Sequence, residues 1–488
     1  MSIHSKTTNE AVQYKHTGSR QLDLFYSVGS SRNEEAWTNL VNLYDDAFLD
    51  DPVFATAIIL WARDIRGGMG ERESFRRCYR NLIRNDKTLA EKVTDLIPAL
   101  GRFDDLNIAV GTPIEEKALQ VWKNCLELDN ALAYKWVNIK KDKALRRFLK
   151  MNPKDFRKYI VKGRTGTIVE EKMCSGKWDA IEYDKIPSVA SARYGNAFKR
   201  HDEDRYSEFL NSDETTINAS ALYPHDVYRT IIYGGNEEVG NKLWKNLPDM
   251  DIGANILCMA DVSGSMSCPA SGKICCIDIA VSLSLYLAQR NSGSFKNTVM
   301  TFSHRPQIIQ LREGASISYI LGEIERMDWE MNTDFEAAYR EILKDARANN
   351  AKPEDMPEYL LVLSDMQFDQ ATPSHDRYKG SRNSLFNRTN SDIDLSEDEE
   401  LPMFDHMREE FEKNGYQLPK IVFWNLNGAT YGGAPACKSS KDVALISGFS
   451  PKILEAVLRD GELVPERVMQ NAVGRYVEML NNIVSVIE

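Results

Sequence analysis

The spacing of apolar residues changes once along this chain, near residue 250, and the change limits what each side of it can fold into. Before it, apolar residues recur at helical spacing over 34–46, 51–63, 71–84, 87–99 and 114–127. Trp37, Leu40, Val41, Leu43 and Tyr44 form the first stripe. Gly67-Gly68-Met69-Gly70 separates two of these segments, and Gly101-Arg102-Phe103-Asp104-Asp105 marks a second corner. Short helices joined by tight turns predict stacked helical pairs, a HEAT-like α-solenoid, although no fixed-period repeat accompanies them.

Beyond residue 250, short apolar runs rich in β-branched and aromatic residues alternate with helical segments. The runs 255–260, 297–302, 359–363, 421–426 and 443–446 predict buried strands, and 274–287 and 333–343 predict helices, the first apolar nearly all round. Such alternation predicts an open, mostly parallel, doubly wound α/β sheet of Rossmann-like type. The expected fold class is therefore α + α/β. The expected domains are helical over 1–250 and α/β over 251–450. Helices at 451–488, including 465–487, dock back on a core. The polar stretch 371–400 ends in Asp392, Asp394, Glu397, Asp398, Glu399 and Glu400, and predicts a mobile insertion.

Charge divides the chain at the same place. Residues 1–250 carry 38 basic and 37 acidic residues; the remainder carries 23 and 35. The net charge of −11 argues against a basic coat over the whole protein. Within the first half, however, 140–200 holds 17 basic against 7 acidic residues. Lys140, Lys141, Lys143, Arg146, Arg147, Lys150, Arg157, Lys158, Lys162 and Arg164 stand in this run, with Tyr159, Trp178, Tyr183 and Tyr194 interleaved. Cations with aromatics suit phosphate neutralisation and base stacking; a solvated helix face is the competing reading. The eight cysteines form no Cys-x-x-Cys pair and read as reduced core or incidental thiols. No apolar run is long enough to span a membrane, and the polar N-terminus lacks a signal-peptide core. A soluble, cytoplasmic protein is expected.

The chemistry concentrates directly after the first strand, at Asp261-Val262-Ser263-Gly264-Ser265. A carboxylate and two hydroxyls at every second position, with a glycine easing the turn, offer oxygen ligands only. Thr333 opens a later helix and Ser364-Asp365 ends a later strand, so a doubly wound sheet could bring all three points to one edge. Oxygen ligands suit a hard divalent cation, Mg²⁺ first, with Mn²⁺ or Ca²⁺ as alternatives. Too few charged ligands are present to saturate the ion, which leaves a position for an acidic oxygen of a partner. Catalytic readings fit poorly. A haloacid-dehalogenase phosphatase needs Asp where Ser263 stands. A serine-hydrolase elbow needs glycines where Ser263 and Ser267 stand. No Walker loop is present. No enzymatic activity is expected.

Asp261, Ser263, Ser265, Thr333 and Asp365 together resemble the metal-ion-dependent adhesion site of von Willebrand factor A (vWA) domains. Further segments extend the likeness: Ile65-Arg66-Gly67-Gly68-Met69-Gly70-Glu71-Arg72, Gly101-Arg102-Phe103-Asp104-Asp105-Leu106, Val169-Glu170-Glu171-Lys172-Met173, and Leu222-Tyr223-Pro224-His225-Asp226. The chain resembles a largely uncharacterised family of plants, fungi, large viruses and phages. In that family a TROVE-like helical module is fused to a C-terminal vWA domain, an architecture similar to the Ro autoantigen. The resemblance implies a Ro-like RNA-binding protein. A helical ring would hold small structured RNA, and a cation-bearing vWA domain would close it. Two alternatives stay open: a metal-dependent scaffold that grips an acidic protein partner, with no membrane involved, and a virus or phage particle component.

Overall fold

The computed structural model describes residues 4–6, 12–164, 169–250, 252–302, 306–324, 335–366, 402–428, 434–458 and 463–482. Six strands form the main sheet: β1 (Ile256–Asp261), β2 (Thr298–Phe302), β3 (Ile308–Gln310), β4 (Tyr359–Ser364), β5 (Lys420–Asn425) and β6 (Val443–Ser447). Their order is β6-β5-β4-β1-β2-β3. Every neighbouring pair is parallel except the edge pair β2 and β3. The C-terminal region is thus the mixed, mostly parallel sheet that alternating strands and helices require. The continuous apolar runs follow from burial on both faces. Ile256, Cys258 and Ala260 of β1 enter one core cluster, while Leu257 and Met259 enter another on the opposite face.

The N-terminal region is helical. Its expected segments fold as Glu34–Asp50, Pro52–Arg63, Arg72–Asn85, Lys87–Leu100 and Glu115–Glu127, each packed on its predecessor. Side chains at the boundaries explain several starts. Asn33, Asp51 and Asp86 each accept from a backbone N–H of the first turn, and Pro52 follows its cap directly. The Gly67–Gly70 breaker turns the chain back against its own helix. A Cβ on Gly68 would stand 1.9 Å from the Trp61 carbonyl oxygen, so the backbones meet where no side chain fits.

Both ends of the helical path rest on the sheet region. Near its start, Arg20–Val28 and Pro52–Arg63 pack against the C-terminal helix Pro465–Asn482. At its end, Pro224–Ile232 packs on Cys276–Arg290, and Glu237–Lys245 on Ile317–Ile324. The two ends also touch each other, since the Tyr223 hydroxyl donates to the Met69 carbonyl at 2.9 Å. One hydrophobic cluster accordingly runs from Leu22 to Leu480 through both regions.

Some boundaries differ from expectation. The segment 274–287 begins with a two-residue strand, Ile274–Cys275, and its helix starts at Cys276. Strand β3 and the helices Ile317–Ile324 and Pro402–Lys413 had no counterpart in the sequence reading. The expected insertion at 371–400 lies outside the described residues.

Candidate functional site at the sheet switch point

Strand β1 is central. The chain leaves it for β2 on one side and later returns as β4 on the other. The crevice between β1 and β4 is where the winding reverses, the usual ligand position in such sheets. Asp261 is the last residue of β1 and Ser364 the last of β4, with Ala260 paired to Leu363 just before them. That register places the Ser364 hydroxyl beside Asp261, where it donates to Oδ2 at 2.6 Å. The Ser263 N–H donates to Oδ1 at 2.9 Å.

Gly264–Ser267 then forms a 3₁₀ turn, closed by the Met266 N–H on the Ser263 carbonyl at 3.0 Å. The turn brings the Ser263 and Ser265 hydroxyls within 2.9 Å of each other. Asp261, Ser263 and Asp365 are buried, and Ser265 is exposed. Oxygens therefore lead from the buried carboxylate to the surface. Burial, with the neighbouring Asp365 adding to it, pushes the Asp261 carboxyl up to about 6, against the pull of the Ser364 hydroxyl and of the Ser263 N–H and hydroxyl. Among the described residues no Lys, Arg or His pairs with Asp261. An all-oxygen set around a buried carboxylate that meets only neutral donors fits a hard cation. Thr333 lies outside the described residues.

Sequence reasoning missed the part Ser364 plays. Its signal was present, a hydroxyl directly before the strand-end Asp365, but only the strand register reveals which carboxylate it reaches.

The basic run occupies the turn before Lys143–Phe148, that helix, and Pro153–Arg164. Lys140, Lys141, Lys143, Arg147, Lys150, Arg157, Lys158 and Lys162 are exposed. None of these eight has an ion-pair partner among the described residues. Arg146 and Arg164 are placed differently. The Arg146 guanidinium donates to the Met151 carbonyl at 3.0 Å. That of Arg164 donates to the carbonyls of Tyr134, at 2.8 Å, and of Lys135 and Val137. Both brace the backbone of the turns they adjoin. Of the interleaved aromatics, Tyr183 is buried among Phe198, Tyr206 and Phe209. Trp178 stacks on His201 with ring centroids 4.4 Å apart.

Comparison with known proteins adds the following. The family model described as "Domain of unknown function (DUF2828)" matches residues 7–128 and 129–252, together half of the chain. That described as "Domain of unknown function (DUF7788)" matches 255–482. The uncharacterized protein L728 of Acanthamoeba polyphaga mimivirus is 23% identical, over 98% of this chain and 88% of its own length. The crystal structure of the Deinococcus radiodurans RO (RSR) protein aligns over 93% of this chain and 87% of its own. The TM-score is 0.35 and the identity 12%.

Proposed function

We propose that this chain, which belongs to the DUF2828 family, is a non-enzymatic, Ro-like RNA-binding protein with a divalent-cation site in a C-terminal vWA domain. The observation that carries the reading is the run of exposed cations from Lys140 to Lys162, which have no ion-pair partner among the described residues, in a chain of net charge −11. A protein so acidic overall gains nothing in solubility from such a cluster, whereas a phosphate backbone would neutralise it. Its place in a helical path whose two ends both rest on the sheet region suits a binding ring. In this reading the helical domain spans 1–250 and the vWA domain 251–450, with 451–488 clamping one to the other.

Asp261, Ser263, Ser265, Thr333 and Asp365 would hold the cation, Mg²⁺ foremost. The bound ion would supply a coordination position open to an acidic oxygen. Ser364 would orient Asp261 through the hydrogen bond it already makes. The exposed end of the site at Ser265 favours a second use of it, capture of an acidic side chain of a protein partner.

The test changes Lys143, Arg147, Arg157 and Lys158 together to Glu, all four exposed, and spares the bracing Arg146 and Arg164. Binding to a short hairpin RNA with a single-stranded tail is followed against salt. The expected result is weaker binding and a salt slope shallower by about 0.7 for each phosphate no longer neutralised. An unchanged affinity and slope would sink the RNA reading. Pulldown of an acidic partner that survives Asp261→Asn would exclude a metal-bridged mode.

A further inference from the structure

Directly after the Asp261–Ser265 loop, the chain makes a short hairpin. Pro269–Ser271 runs antiparallel to Ile274–Cys275, with Pro269 opposite Cys275, and the turn includes Gly272 at φ +58. One position beyond that pair, at the neck, Cys268 faces Cys276. The Cys276 N–H donates to the Cys268 carbonyl at 3.1 Å, and the two Sγ atoms are 3.3 Å apart. The Cys276 thiol also reaches the Leu426 carbonyl at 3.4 Å, in the segment after β5. Cys268 is half-buried and Cys276 is buried. Backbone pairing thus holds two thiols face to face, one reachable from solvent and the other behind it.

We propose that Cys268 and Cys276 are a reversible thiol–disulfide pair, oxidised by reagents of the peroxide class, whose closure tightens the loop carrying Ser263 and Ser265. In the first step the Cys268 sulfur attacks a peroxide oxygen. The O–O bond breaks, leaving a sulfenic acid on Cys268 and, for hydrogen peroxide, releasing water. In the second step the Cys276 sulfur attacks the Cys268 sulfur. The S–S bond forms, the S–O bond breaks, and hydroxide leaves with the thiol proton as a second water. Two electrons pass from the sulfurs to the peroxide, and a dithiol reductant returns them. The order of attack follows exposure, since only Cys268 meets solvent.

The inference does not depend on a bound cation or on RNA. Its test uses the full chain, fully reduced and then treated with hydrogen peroxide, alkylated with iodoacetamide and cut with trypsin. Cleavage after Lys273 puts the two cysteines on separate peptides, so only a disulfide joins them. The expected product is that linked pair, lost on reduction and absent from Cys268→Ser and Cys276→Ser. It should be retained in Cys275→Ser, which separates Cys276 from its neighbour. Amide exchange at 263–276 should slow by about tenfold on oxidation, the size of effect that a constrained local opening produces. Should both serine variants misfold, Cys275→Ser and the reduced wild type still decide the matter. Full alkylation of both thiols, loss of the linked pair in Cys275→Ser, or sulfinate on Cys268 would overturn the pairing. Unchanged exchange in the oxidised protein would overturn the tightening.

Discussion

Asp105 in the helical region and Asp261 in the sheet region are equally sealed from solvent, yet they are held by opposite kinds of partner. Asp105 accepts from the Arg63 guanidinium at 2.8 Å, from that of Arg76 at 2.6 Å and from the Arg102 N–H at 3.1 Å. Its charge is answered twice within the fold. Asp261 accepts, among the described residues, from the Ser263 N–H and from serine hydroxyls, all neutral. A buried carboxylate surrounded by the protein's own cations locks helices together. One that meets only neutral donors among the described residues is where the proposed cation would supply the missing charge.

The largest expected effect tests the first half of that contrast. Asp105→Ala leaves two guanidinium groups facing a void, Arg63 itself being buried. It should cost about 3–5 kcal/mol in urea denaturation, as loss of one partner from a buried ion pair does. A loss below about 1 kcal/mol would place Asp105 among surface pairs and break the comparison. Asp261→Asn keeps an acceptor for Ser263 and Ser364 and removes the buried charge, so in chelator it should leave stability unchanged or raised.

The second prediction concerns what comes from outside. Mg²⁺ or Mn²⁺ at a hundredfold excess over its dissociation constant should stabilise the wild type by about 2.7 kcal/mol, read as a rise in melting temperature. The rise should vanish in Asp261→Asn. A rise of equal size in that variant would locate the cation elsewhere.

What could be read from the sequence follows the range over which each cause acts. The five long strands, and the Asp-x-Ser-x-Ser turn after the first, were legible because period, turn chemistry and strand end all lie within a few neighbours. The acceptance of the Arg102 N–H by Asp105, three residues on at the same corner, is equally local. The clamp of Asp105 on Arg63 and Arg76 could not be read, because those partners lie 42 and 29 residues away. Strand β3 escaped notice because three residues on a sheet edge, Ile308–Gln310, show no period. Arg146 and Arg164 were grouped with the exposed cations because composition counts charges, and only folding shows which guanidinium is spent on backbone carbonyls.

A smaller effect bears on how the two regions are joined. Asp64 is buried beside the C-terminal helix, where it accepts from the Tyr476 hydroxyl at 2.8 Å and also from Arg475. Tyr476→Phe removes one of these donors without creating a cavity. The expected cost is about 1 kcal/mol in the urea midpoint. A cost near that of Asp105→Ala would show that the clasp is as demanding as the buried arginine cluster.

His225 supplies a third kind of buried polar group and the most graded test. It stacks on Tyr223 and stands perpendicular to the Phe449 ring, which lies beneath the Arg32 guanidinium. Its Nδ1 has no hydrogen-bond partner among the described residues. Burial lowers its pKa below the ordinary histidine value. Asp226 and Asp278 oppose that shift, and Arg32 and Arg229 reinforce it. The unfolded chain therefore binds a proton first as pH falls. Stability conferred by neutral His225 is complete above about pH 6.5 and drains away below it, by at most about 1.4 kcal/mol per pH unit. Urea midpoints at pH 7 and pH 5.5 should differ more in the wild type than in His225→Phe, which keeps the ring and loses the titration. Equal differences would mean that the imidazole gains a compensating partner when it charges. His225 would then belong with Asp105, whose charge the fold answers, rather than with Asp261.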